Sequence, residues 1–278
     1  MLLGIICAVS LLSAVGTCLA SGAFFSLTWL WVLPVSFVGS VLGWVILYFL
    51  FLCVLAALVD IKKPQETDSK LYRFMISLTA RTVFPILGAR IHTEGLEKVP
   101  QDGRFMLVCN HIHILDPVVL LARMPKAQLA FISKRENQSM FLVGKFMHKI
   151  LCQPINREND REALKTILKC ISIIKEDKAS IGVFPEGYTS MDGLLHPFRS
   201  GVFKIAQKAD VPVVVCTMQN TNKVFPNFLK LKSTHVHLHV VDVIPAQELK
   251  GVTAVDIGER VHQLMADDLG PDLVLKED

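Results

Sequence analysis

The chain has 278 residues, with 29 basic and 25 acidic side chains and a net charge of +4. That balance is too modest to argue for a nucleic-acid partner, although basic residues beside a membrane favour anionic lipid. Its seven cysteines are odd in number, scattered and without a Cys-x-x-Cys pair, which excludes a disulfide framework and a structural zinc site and fits free thiols in a reducing compartment.

Residues 1–59 contain no Asp, Glu, Lys, Arg or His. A membrane-spanning helix needs roughly 20 apolar residues, so this run holds two, predicted at Leu2–Ala20 and Val35–Val59. Ser21–Pro34 between them carries Trp29, Trp31 and Pro34, and tryptophan favours the headgroup level. A cleaved signal peptide would need a basic first region, which is missing, and a soluble buried hairpin would need a very large protein around it. Lys62, Lys63, Lys70 and Arg73 follow the second span. The orientation rule counts such residues as cytoplasmic, so the expectation is an integral membrane protein whose remaining domain faces the cytoplasm.

Three regions are expected: a membrane anchor over 1–60, an amphipathic interfacial segment over 61–90, and an α/β domain over 91–278. In the second, Leu71, Phe74, Met75, Leu78, Val83 and Phe84 recur at helical spacing over Leu71–Leu87, which predicts a helix that either packs on a core or lies on the bilayer. Beyond it, buried strands are predicted at Phe105–Cys109, Leu129–Ser133, Ile181–Phe184 and Val211–Thr217. They alternate with helices at Pro117–Arg123, Ser139–Ile150, Asp160–Lys175 and Gly201–Lys208, and one more helix follows Glu248. Such alternation predicts an α/β fold with a mainly parallel sheet flanked by helices, its active site in loops beyond the carboxyl ends of strands.

Two segments at such strand ends carry chemistry. The first is Asn110-His111-Ile112-His113-Ile114-Leu115-Asp116-Pro117. A histidine takes a proton near neutral pH, and a carboxylate on its other ring nitrogen fixes the tautomer. On a continuous helix, five positions would set His111 and Asp116 about 140° apart, so a turn is required, and Asp-Pro also suits a helix start with Asp116 as N-cap. Spacing alone leaves both readings open, catalytic pair or helix cap. The second segment is Gly182-Val183-Phe184-Pro185-Glu186-Gly187, either a ligand-contacting turn or a plain surface turn.

NHIHILD followed by FPEG, with Ile155-Asn156-Arg157 between and Val211-Pro212-Val213-Val214 after, resembles the four ordered blocks of the glycerolphosphate and lysophosphatidic acid acyltransferase family, over roughly Arg90 to Ile244. The resemblance implies an O-acyltransferase that moves a fatty acyl group from an acyl thioester to a lysophospholipid hydroxyl. The first acceptor implied is 1-acylglycerol 3-phosphate; another lyso-lipid or glycerol 3-phosphate is the alternative. His111 is then the general base, Asp116 its orienting partner, and Arg157 a contact of the acceptor's phosphate. Glu186 and Gly187 shape the acceptor site, Val211–Val214 lies near the acyl chain, and Arg199 and Lys134 are further phosphate candidates. No cofactor or metal is implied; acyl-CoA or acyl carrier protein thioester serves as co-substrate, and the bilayer and lipid substrates are the partners. The family usually has serine where this chain has His113, and threonine then arginine where it has Tyr188 and Thr189, which leaves room for a different lyso-lipid.

Two readings of other classes compete. His111, His113 and the histidines of Thr234-His235-Val236-His237-Leu238-His239 suggest a metal-dependent hydrolase, though alternation with Val236 and Leu238 is the ordinary pattern of a strand with one wet face. A non-catalytic lipid-binding protein on the same fold is the other.

Overall fold

The computed structural model describes residues 2–156 and 158–275. They form two compact units, 1–60 and 61–278.

In the first unit, helix α1 spans Leu2–Ala20 and helix α2 spans Trp29–Ala57. Both are long and apolar enough to cross a membrane. The connection is shorter than expected, because α2 begins at Trp29 and takes Pro34 inside it. Proline removes one ladder hydrogen bond, to the carbonyl of Leu30, and the helix continues through it.

The second unit is built on seven strands. Its elements run in the order helix α3 (Lys70–Ile86), strand β1 (Ala89–Glu94), β2 (Met106–Cys109), helix α4 (Asp116–Arg123), β3 (Leu129–Lys134), helix α5 (Phe141–Lys149), β4 (Gln153–Ile155), helix α6 (Asp160–Lys175), β5 (Ser180–Val183), helix α7 (Lys204–Ala209), β6 (Val213–Gln219), helix α8 (Val224–Leu229), β7 (Thr234–Ile244) and helix α9 (Ala254–Leu269). The sheet order is β1-β7-β6-β2-β5-β3-β4. Every neighbouring pair is parallel except β6 and β7, so the sheet is mainly parallel, as the alternating pattern predicts.

Strands in the middle of such a sheet are apolar on both faces. Met106, Val108, Ile181, Val183, Val213 and Val215 turn one way and share a core with Ile173 of α6 and Val261 and Met265 of α9. Leu107, Cys109, Val214 and Cys216 turn the other way and are equally buried. The apolar residues of helix α3 do not share one face: Met75 and Phe84 are buried with Tyr72 and Ala80, while Leu71, Phe74, Val83 and Ile86 are exposed. Arg73 is drawn into the core by Asp68, at 2.6 and 2.9 Å, and by the carbonyl of Leu129.

Strand order decides where loops meet. Because β2 lies between β5 and β6 and runs parallel to both, the chain leaves all three at one end of the sheet. The segments after Cys109, Val183 and Gln219 therefore converge, which is the crevice where parallel sheets hold ligands.

Candidate active site

Asn110 sets the frame. Its amide donates to the carbonyl of Met218 at 2.9 Å and accepts from the Met218 N–H at 2.7 Å, pairing where the ladder between β2 and β6 would otherwise end. The chain then turns through 111–115 into α4.

Asp116 is fully buried and accepts four hydrogen bonds. Its Oδ2 takes Nδ1 of His111 at 2.9 Å and the N–H groups of Ile112 and His113, each at 2.8 Å. Its Oδ1 takes the hydroxyl of Thr221. Such a constellation offsets the cost of burying a carboxylate. It also corrects the capping expectation: Leu115 holds the N-cap position, no side chain caps α4, and the Asp116 carboxylate turns back onto its own loop. An acceptor-only carboxylate fixes the proton on Nδ1. Nε2 of His111 has no hydrogen-bond partner among the described residues, and the side chain is 17% accessible. The ring stacks on Phe184, centroids 4.2 Å apart, and Phe184 stacks on Phe131.

The backbone of His111 is clamped by the second segment. Oε1 of Glu186 accepts its N–H at 2.7 Å, and Ser190 donates to its carbonyl from N–H at 2.7 Å and from the hydroxyl at 3.1 Å. The other carboxylate oxygen of Glu186 accepts the N–H of His196 at 3.2 Å. Glu186 is only 1% exposed: it braces the loop 110–116 from inside and does not line an open surface. Burial pushes its carboxyl up from 4.5 to about 7, against the pull of the two N–H groups, with Asp116 adding to the rise.

A raised acid keeps its proton in the folded chain where the unfolded chain has lost it. Its favourable contribution is complete below pH 4.5 and is lost as pH rises through about 7. The whole change is about 3 kcal/mol. Glu186→Gln, neutral throughout, is expected to flatten this fall. Thermal midpoints of both proteins in detergent from pH 4.5 to 8 provide the check, and an unchanged slope in the variant counts against the assignment.

Gly187 follows at φ 83°, a left-handed conformation, and a Cβ there would meet Cδ and Nε of Arg199 at 2.9 Å. Glycine thus lets the Arg199 side chain fold across the turn, while the Arg199 N–H holds the Pro185 carbonyl. Lys134 ends β3 at the same end of the sheet, but it is exposed and 3.4 Å from Glu136. Arg157 lies outside the described residues; β4, which ends at Ile155 just before it, also finishes at this end, beside Lys134. Val211–Val214 falls elsewhere. Strand β6 starts only at Val213, after Pro212, at the far end from His111, with Val213 and Val214 fully buried.

Residues that spacing does not reveal lie around these loops. Thr221 is one. Another group is Tyr188, His196 and Asp192: the tyrosine hydroxyl lies 2.9 Å from Nδ1 of His196, whose Nε2 is 2.9 Å from Asp192. His113 accepts the Leu115 N–H at 3.3 Å. Burial holds its imidazole below the ordinary value, with His111 adding to the lowering and Asp116 opposing it. On β7, His235 and His237 are exposed while Val236, Leu238 and Val240 are buried. No group of three or more potential ligands is placed to hold a metal among the described residues.

Residues 90–219 match the family model described as Acyltransferase. The chain carries an acyltransferase-family domain. Two chloroplastic 1-acyl-sn-glycerol-3-phosphate acyltransferases are similar: one from Brassica napus is 34% identical over 56% of this chain and 45% of its own length. The other, from Arabidopsis thaliana, is 32% identical over 62% and 48% respectively. The chain thus spans about half the length of these relatives. A 1-acyl-sn-glycerol-3-phosphate acyltransferase of Borreliella burgdorferi is 27% identical over 59% of this chain and 66% of its own. In structure, the chain resembles the lysophosphatidic acid acyltransferase PlsC from Thermotoga maritima, with TM-score 0.62 and 20% identity over 84% of this chain and 91% of that one. The acyltransferase domain contains the loop 110–116, Glu186, Gly187 and Arg199, and ends two residues before Thr221.

Proposed function

We propose that the chain transfers a fatty acyl group from an acyl thioester to the hydroxyl of a lysophospholipid, first among them 1-acylglycerol 3-phosphate. The observation that carries this reading is the pairing of His111 with a fully buried, four-fold hydrogen-bonded Asp116 at the convergent strand ends.

Nε2 of His111 takes the proton of the acceptor hydroxyl as its oxygen attacks the thioester carbonyl. The carbon–sulfur bond then breaks, and the imidazolium returns the proton to the departing thiolate. Asp116 stabilises the charged imidazole between these steps. No residue of the chain is acylated and the step needs no cofactor; acyl-CoA or acyl carrier protein enters as co-substrate. Arg199, whose planar fork suits a phosphate, and Arg157 are the phosphate contacts of this reading, with Lys134 a weaker one.

The two apolar helices anchor the chain in a membrane, and the lysines after them set the domain on the cytoplasmic side. Tyr188, engaged with His196 where relatives of the resembled family carry threonine, favours a second acceptor reading in which the lyso-lipid bears a different headgroup. The test is the full-length protein in detergent–lipid micelles against a panel of lysophospholipids and glycerol 3-phosphate, with both donor types. Acylation of lysophosphatidic acid above the others is expected; no acylation of any acceptor would sink the proposal.

A further inference from the structure

After β6 leaves the site, residues 220–233 build a projecting tip from a turn, the short helix α8 and a loop into β7. Leu229 is 81% exposed and Leu231 95%, and Phe225 and Phe228 are exposed beside them. From Val211 to Val241 there is no acidic residue, while Lys223, Lys230 and Lys232 surround the apolar group and are themselves exposed.

The tip is not a frayed end. The N–H of Lys232 bonds the carbonyl of Asn227 at 2.9 Å and that of Leu231 bonds Phe228 at 3.0 Å, a closed helix terminus of the kind whose left-handed residue is usually glycine. Here that residue is Leu231, at φ 54°. A branched side chain in this conformation is disfavoured, and in water it gains nothing by its exposure. The side chain of Asn227 ties the terminus to Thr234 at 3.0 Å. The tip also belongs to the catalytic end of the sheet: Thr221 at its base bonds Asp116, and the Phe225 ring lies 5.5 Å from that of His113.

We propose that this tip dips into the headgroup–acyl boundary of an anionic phospholipid bilayer, bringing the loop 110–116 against the surface from which a lipid acceptor arrives. Leucines and phenylalanines ringed by lysines match such a surface in both apolarity and charge. The inference rests on the reading of the chain as a membrane-anchored acyltransferase, and its test separates the two.

The full-length protein is reconstituted in vesicles containing phosphatidylglycerol, with a nitroxide on Leu231→Cys or, at the opposite end of the sheet, on Val252→Cys. The unmutated chain labelled in parallel supplies the background from its native thiols. Relaxation by oxygen, which concentrates in lipid, and by a water-soluble nickel chelate reports depth. The Leu231 label is expected to favour oxygen and the Val252 label nickel. Equal accessibility at both positions overturns the proposal, as does protection from both reagents accompanied by a doubled mass, which would give the tip to a second copy of the chain.

Leu229→Ser combined with Leu231→Gly supplies the functional arm. Glycine suits the left-handed site, so the thermal midpoint should not fall. Turnover of a long-chain acceptor in vesicles should drop about tenfold, given what a leucine gains by leaving water, with a short-chain soluble acceptor unaffected. Equal loss on both acceptors rules the tip out as a membrane contact. If the unmutated chain acylates nothing, the enzymatic reading fails while the depth measurement still decides the location of the tip.

Discussion

Replacing His111 with alanine is expected to lower kcat by about 10²- to 10⁴-fold, the usual contribution of a positioned general base. The KM for the acyl thioester should barely move, because the Nε2 of His111 is assigned to proton transfer and not to holding the donor. Folding should survive. Asp116 keeps its other three donors, Ile112, His113 and Thr221, and the backbone bonds from position 111 to Glu186 and Ser190 do not depend on its side chain. Thiol release from acyl-CoA, measured beside a melting curve in the same detergent, checks both halves. Retention of more than about a tenth of wild-type turnover would remove His111 from the chemistry, since a lost general base costs more than that.

The parts of this molecule that sequence predicts well are those whose physics is local. Leu2–Ala20 and Asp160–Lys175 emerge at their predicted limits, the first from an uninterrupted apolar run, the second from helical spacing closed by Asn159, whose side chain accepts the Glu162 N–H. Strand β1 goes unpredicted because Ala-Arg-Ile-His-Thr-Glu lies at a sheet edge and alternates with polar residues. Strand β4 goes unpredicted because three residues carry no pattern. The site divides along the same line. His111 and Asp116 lie within one short loop, so their spacing is suggestive, yet Asp-Pro reads equally as a helix cap. What decides between the readings comes from afar: Thr221 reaches Asp116 across 105 positions and Glu186 reaches His111 across 75. Glu186 itself misleads, since a glutamate in a Pro-Glu-Gly turn reads as exposed until the strands are assembled and it closes beneath His111.

Asp116 carries the second large effect, and two substitutions separate what it does. In Asp116→Asn the amide oxygen can remain at the position of Oδ2, still accepting from His111, Ile112 and His113, while the new NH₂ faces Thr221, whose hydroxyl turns to accept. Geometry and tautomer are kept and only the charge is lost. Unit charges about 4 Å apart at an effective dielectric near 20 interact by about 4 kcal/mol, so kcat is expected to fall about 10²- to 10³-fold with little change in thermal midpoint. Asp116→Ala removes the acceptor altogether. Three donors of the loop and the Thr221 hydroxyl then lose the partner that has no solvent exposure, at about 1–3 kcal/mol for each one left buried and unsatisfied. The alanine protein should therefore lose both turnover and several degrees of melting temperature. If asparagine destabilises as much as alanine, the carboxylate's charge holds the loop together as well as serving the imidazole. If asparagine turns over at the wild-type rate, Asp116 orients His111 and contributes nothing to stabilising the imidazolium.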